Sequence, residues 1–463
     1  MDKQKRGCKR SSFASSVYEG IYWYGVRLQA ERSCSLLKNV QFQRGTVHNI
    51  RVHVLPTEQF KTYAISVYVG SRLQEETVTP TALIPFVLRR GTKVYPETKQ
   101  FRERLDDLYG AGFGFDIYKR GDYQMVQFRM DLIQDDFVNS TESLLEQGMR
   151  FVGEAITQPA AQDGEFTSKY VDSEKTTLQK RIESIINDKV KYAAERCIEE
   201  MCKGEPYRLH PLGTIEALQK LTSKELYTYY KQWLKESPID IYVVGKTTLK
   251  EVMALVENSF GGEREVAGGY STLQGQSKEA EVREVIEELD VKQGKLNLGL
   301  RTHTTYADAA YPTMLMYNGI LGGYPHSKLF INVREKESLA YYASSRLDGH
   351  KGILTIQSGI ELENYEKAVA IIRQQLDAMT AGDINDIELQ QTQAMITGHL
   401  RQLQDSAFEL ISFDFNNILS GVERTVPDLI NDVLAVDKAQ IQAAASQVKL
   451  DTIYFLRDRK EGV

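Results

Sequence analysis

No apolar run in the chain approaches the roughly 18 residues that a membrane-spanning helix needs, so no membrane partner is expected. Cysteine is scarce: Cys8, Cys34, Cys197 and Cys202 are the four. Their number and spacing build neither a disulfide framework nor a CxxC site, which points to free thiols in a reducing compartment. Positive charge is not in excess either. At a net charge of -6 the chain has no electrostatic footprint for nucleic acid or an anionic surface. Seven histidines are present, and no two stand at i, i+4, the spacing at which a helix turns two imidazoles toward one metal ion. The N-terminal MDKQKRGCKRSSFASSVYEG is basic and serine-bearing, and the adjoining IYWYGVRLQAERSC never forms the uninterrupted apolar core of a signal peptide. Residues 1–44 read as a disordered extension, with a docking arm anchored by Trp23 as the alternative; the expected location is cytoplasmic.

What is there is ordinary globular composition, 42% hydrophobic and 26% charged, over 463 residues, too many for one core. From about Val47 the chain becomes regular. VHNIRVHVLPTEQFKTYAISVYVG alternates as a hairpin or strand pair. Next come an apolar helix near 80–90, a charged one at FRERLDDLYG, paired strands FGFDIYKRG and YQMVQFRMDL, and long helices to about 232. The short strand IDIYVVG closes this half. After GGEREVAGGYSTLQGQSKEAE, which loses hydrophobic periodicity, the same order of elements repeats and ends on DTIYFLRD. At an offset of 232, residues 80–109 lie on 312–341 without a gap, with seven identities in 30, among them Gly91 on Gly323, Arg102 on Arg334 and Tyr109 on Tyr341. The expected organisation is an N-terminal domain over 45–260, a linker over 261–282 and a homologous C-terminal domain over 283–463. The fold class is α+β, each half a mostly antiparallel sheet with helices on one side.

GSRLQEE at 70–76, RRGTKVYP at 89–96, HPLGTIEAL at 210–218 and LGGYPHSKLFINVREKESLAYYASS at 321–345 occur in order across both halves. On these segments the chain resembles the pitrilysin (insulinase) peptidases, in which two half-domains of LuxS/pitrilysin-like fold form a clamshell around a peptide. Active members carry HxxEH before the GT exit, two histidines binding Zn²⁺ and a glutamate activating water. Counting back from Gly91 by the family spacing places Ala82, Pro85 and Phe86 there. None offers a metal ligand or a base. The family's third ligand falls on Arg181 or Glu183. No metal and no cofactor are expected. Pro85 is compatible with a helix only near its first turn, so a start at Thr79 to Thr81 is expected.

The resemblance further implies that Arg334 and Tyr341 are the Arg/Tyr pair that reaches substrate near the zinc. A guanidinium and a phenol can both donate to a developing oxyanion. On pattern alone, Arg334 beside Glu335 and Glu337 also reads as an ion-paired surface residue and Tyr341 as a strand aromatic. Arg102 and Tyr109 are expected to be structural. Gly322 and Gly323 mark a tight connection, and GAGFGF at 110–115 lets the chain turn into an edge strand.

The leading reading is therefore a non-zinc subunit of a peptidase, inactive alone. It would act on a peptide or small protein together with an HxxEH-bearing relative, as a heterodimer or, alternatively, as a homodimer. The resemblance extends this to peptide processing or elongation factor P modification. A catalytically inert peptide-binding scaffold is the second reading, and an independent hydrolase of another mechanism the third.

Overall fold

The computed structural model describes residues 41–262, 264–265, 269–270 and 281–459. Of the extension 1–44, only 41–44 are described; Trp23, Cys8, Cys34 and most of the segment 261–282 lie outside the described residues. The N-terminal half contributes β1 (Gln43–Val47), β2 (Ile50–Pro56), β3 (Thr62–Arg72), β4 (Gly112–Arg120) and β5 (Tyr123–Ile133). After a two-residue pair, β6 (Ala161–Gln162) and β7 (Glu165–Phe166), comes β8 (Ile239–Gly245). The C-terminal half contributes β9 (Arg283–Leu289), β10 (Gly294–Arg301), β11 (Ala340–Asp348), β12 (Ile353–Ile360) and β13 (Lys449–Asp458).

The first sheet runs β1-β2-β8-β3-β5-β4 and the second β11-β12-β10-β13-β9. Read outward from the parallel pair, β2-β8-β3-β5-β4 matches β9-β13-β10-β12-β11, with one parallel and three antiparallel pairings in each. The duplication is thus present in topology as well as in sequence. The first strand run departs from expectation: β2 and β3 do not pair, because β8 lies between them. The hairpin is instead β1–β2, turned by His48 and Asn49, both at positive φ (47° and 63°) as a two-residue primed turn demands.

Alternation along β8 and β13 shows how the halves are joined. Ile241 and Val243 face the N-terminal half's own helices, whereas Tyr242 and Val244 face the helix Ala407–Ser420 of the other half. Likewise Ile453 and Phe455 enter the C-terminal core, while Tyr454 packs toward the helix Lys189–Met201 of the N-terminal half. Each sheet is therefore covered on one face by its own helices and on the other by a helix lent from its homologue. Strands covered twice read as near-continuous apolar runs, which is why IDIYVVG is buried at every position.

Buried polar groups pin this exchange. Arg44 forks onto Asp414 at 2.8 Å through two nitrogens, Tyr242 donates to Asp414 at 2.8 Å, and Tyr68 stacks on Phe415 at 3.8 Å. Asp240, fully buried, accepts from Arg51 and His53. Since Arg44 donates to Nδ1 of His53, the ring is the Nε2–H tautomer, and Nε2 donates to Asp240. Tyr270 also donates to Asp240, so a tyrosine from the low-periodicity stretch between the halves is docked at the seam. On the far side, Lys351 Nζ lies 2.8 Å from both Asp122 and Glu205, and Arg301 lies 2.7 Å from Glu205.

Candidate functional site

The helix corresponding to the zinc helix spans Glu75–Leu88, so Pro80 and Pro85 both lie in its interior. This corrects the expected start near Thr79. Glu75 and Glu76 favour the N-terminus electrostatically, and the element begins a turn earlier than its prolines suggest. The backbone bond missing at each proline is tolerated because the helix is almost entirely buried and fixed by tertiary contacts. Thr79 Oγ1 accepts from the amide of Thr214, and Gln124 donates to the carbonyls of Val78 and Pro211. HPLGT thus serves to clamp this helix, and Gly213 is required there because a Cβ would lie 2.1 Å from Thr79 Oγ1.

Ala82 is 0% and Phe86 3% exposed, and both belong to the core between helix and sheet, with Pro85 buried beside them. The Phe86 ring meets Phe115 edge to face at 4.8 Å, and the guanidinium of Arg89 lies 5.8 Å from its centroid. Arg181 answers the choice left by the sequence. Its guanidinium stands 5.9 Å from the same ring, whereas Glu183 is exposed and bonded to Gln179. Methyl, pyrrolidine, phenyl and guanidinium groups offer no lone pair to a cation, so this donor set does not fit zinc. Among the described residues, no group of three His, Cys, Asp or Glu side chains stands close enough to hold a metal ion. One carboxylate remains below: Glu174, fully buried and paired with Arg90.

Among the described residues, Arg334 and Tyr341 take their side-chain partners from the C-terminal half and none from this helix. Arg334 lies in the π-helical segment Phe330–Lys336, 42% exposed, with its guanidinium 4.5 Å above the Phe330 ring and 3.9 Å from Glu335. Tyr341, on the edge strand β11, is 64% exposed and donates to Glu361 at 2.8 Å. That hydrogen bond and the charge of Glu361 raise its pKa, so it is a protonated donor at neutral pH. Arg102 is exposed on its helix, and Tyr109, at φ 57°, bonds only the Asn139 carbonyl among the described residues. Gly322 is needed for close approach, since a Cβ there would lie 2.6 Å from the Ser345 amide of β11.

Between the halves lies a cleft of about 790 Å³, whose lining the sequence did not disclose. It is lined by Lys119 and Arg120 of β4, Ile182 and Ile185 of the helix Ser168–Asn187, and Arg346 and Asp348 of β11. Neither Arg334 nor Tyr341 lines it. Burial pushes the Lys119 ammonium down to about 8, and it donates to the Tyr207 carbonyl at 2.6 Å while lying 4.1 Å over that residue's ring. Tyr207 in turn bonds Asp348 across the cleft. Cys197 and Cys202 are buried nearby as free thiols, and desolvation raises both, Cys202 to about 12, which leaves them unreactive. His210 accepts from the Leu212 amide and lies 3.2 Å from Glu195.

Comparison with known proteins agrees with this geometry. A model of the peptidase M16 inactive domain matches residues 220–396, a span that crosses from one half into the other. The chain is 39% identical to "Probable inactive metalloprotease YmfF" of Bacillus subtilis (strain 168), over 88% of this chain and 96% of that protein. It is 22% identical to "Uncharacterized zinc protease YmxG" of the same organism, over 89% and 96%. Among solved structures, a conserved protein from Enterococcus faecalis V583 superposes with a TM-score of 0.86 at 32% identity, covering 91% of this chain and 100% of that one. A peptidase M16 inactive domain from Pseudomonas fluorescens shares the fold at 16% identity, with a TM-score of 0.76 over 90% and 98%.

Proposed function

The chain belongs to the M16 peptidase family as an inactive metalloprotease homologue, and from that premise we propose that it is the non-zinc subunit of a peptidase completed by an HxxEH-bearing relative. The observation that carries this reading is the position of Arg334 and Tyr341, exposed on the C-terminal half and outside the cleft of their own chain. A guanidinium and a phenol exposed there are open to a substrate presented by another molecule. A zinc-bearing chain would polarise the scissile carbonyl, and these two donors would stabilise the charge that develops on its oxygen. A zinc-bearing relative is the favoured partner over a second copy, because a copy brings the same Ala82, Pro85 and Phe86.

The test is reconstitution. Alone, the protein is expected to hold no stoichiometric zinc and to cleave no peptide. Mixed with an HxxEH-bearing M16 relative it is expected to support cleavage, and Arg334→Ala or Tyr341→Phe should lower kcat about a hundredfold. Normal cleavage with both substitutions in place would sink the subunit reading. That outcome would leave the inert peptide-binding scaffold, which the cleft of about 790 Å³ favours. The finer assignments, a cytoplasmic location, domain limits of 45–260 and 283–463 about a linker at 261–282, and a part in elongation factor P modification, rest on sequence and resemblance. The last is checked by the mass of elongation factor P from a deletion strain, which should lack the modification.

A further inference from the structure

A second cavity, of about 600 Å³, lies in the C-terminal half, with Val282 just ahead of it also on the lining, and is independent of the subunit reading. Its apolar wall comes from Leu300, Leu376, Ala445 and Leu450, and Tyr317 lines it from the helix Tyr311–Asn318. At the offset of 232, Tyr317 occupies the place of Pro85, so the repeat copy of the degenerate helix carries a phenol where the first copy carries a ring without a donor.

Tyr317 is 1% exposed, yet among the described residues its hydroxyl has no hydrogen-bond partner. Other buried tyrosines are satisfied: Tyr230 donates to the Ile156 carbonyl, Tyr242 to Asp414 and Tyr306 to Asn417. A phenol that the protein leaves unpaired on a cavity wall is free to donate to an acceptor entering that cavity. The polar rim indicates what enters. Arg301 and Asp451 are already engaged, Arg301 with both Asp451 and Glu205. Arg373 and Lys449 also line the cavity, and among the described residues neither holds a salt bridge or side-chain hydrogen bond; Asp377 is the one unpaired acid. His303 joins them in the left-handed region, at φ 52°, between Thr302, whose amide donates to the Gly352 carbonyl, and the buried Thr304. Strained backbone beside a cavity is what a ligand-holding loop shows. The volume suits a small ligand.

We propose that this cavity binds a carboxylate carried on an apolar chain, the apolar part against Leu300, Leu376 and Leu450 and the anion between Arg373, Lys449 and the Tyr317 hydroxyl. A peptide C-terminus and a free fatty acid both carry that chemistry.

Calorimetric titration of the full chain separates the two sources, using sodium decanoate against decanol and N-acetyl-trileucine acid against its C-terminal amide. At least one acid is expected to bind about tenfold or more tightly than its neutral counterpart. Arg373→Gln and Lys449→Gln should each weaken that binding by about tenfold. Tyr317→Phe should weaken it several-fold while leaving Tm unchanged or higher. Binding of decanoate alone assigns a fatty acid, and of the peptide acid alone a peptide C-terminus. Equal binding of acid and neutral forms, no binding of either acid, or unchanged affinity in the two cation variants would overturn the proposal.

Discussion

At the residue scale, positions are decided by what each side chain must pair with once water is gone. Phe86 replaces chemistry with packing, so Phe86→Ala should cost about 3 kcal/mol in urea unfolding through the cavity it leaves. A loss under about 1 kcal/mol would show that the ring is not a core element. Asp240 is the sharper case. Burial alone would push its carboxyl up, but the hydrogen bonds of Arg51 and His53 and the charge of Arg51 outweigh it and hold the group at about 2 against an ordinary 3.8. A depressed folded-state pKa means the stabilisation is fully present above about 3.8 and is lost as pH falls toward 2. Asp240→Asn should therefore cost about 3 kcal/mol at pH 7 by leaving the half-buried Arg51 without its charge partner. The gap to wild type should close between about pH 4 and pH 2; a gap independent of pH would place the effect elsewhere.

At the scale of the element, the degenerate helix and its repeat copy were legible as helices, but neither their limits nor their contacts were. Sequence rules place prolines at helix starts, whereas burial keeps Pro80 and Pro85 inside one that starts at Glu75. In the repeat copy the helix continues through a π-helical Gly319–Gly323 so that Gly322 can pass beside β11. Gly322→Ala should push β11 away, lowering stability by about 1–3 kcal/mol. Because Tyr341 stands at the start of β11, the same variant should lose activity in the reconstituted peptidase beyond what its residual folding explains. Wild-type activity per folded molecule would show that the strand's seat does not matter.

At the scale of the molecule, exchanged helices and buried ion pairs make two sheets into one cooperative body. Lys351 is held by Asp122 and Glu205 of the other half, so Lys351→Met leaves Asp122 without its cation and Glu205 with Arg301 alone. The cost should be about 3–5 kcal/mol, and calorimetry of the wild type should show a single transition in which the halves melt together. Two transitions in the wild type would contradict a seam shared by both halves. Adding Phe415→Ala, which removes the stack on Tyr68, should weaken the coupling enough to split the transition.

The sequence by itself determined the duplication and the α+β class, because both are written in residue type and spacing along the chain; the loss of zinc ligands at Ala82, Pro85 and Phe86 and the candidate pair Arg334 and Tyr341 came through the family resemblance its segments carry. It left Arg181 and Glu183 undecided, mistook β2 and β3 for neighbours, disclosed none of the lining of the cleft between the halves and gave no sign of the second cavity. Those depend on residues far apart in sequence: β8 enters between β2 and β3 from the far end of the N-terminal half, and Lys119, Tyr207 and Asp348 meet only when the halves close. Tertiary structure decided them because a helix lent across the seam buries faces that local periodicity would have left to solvent.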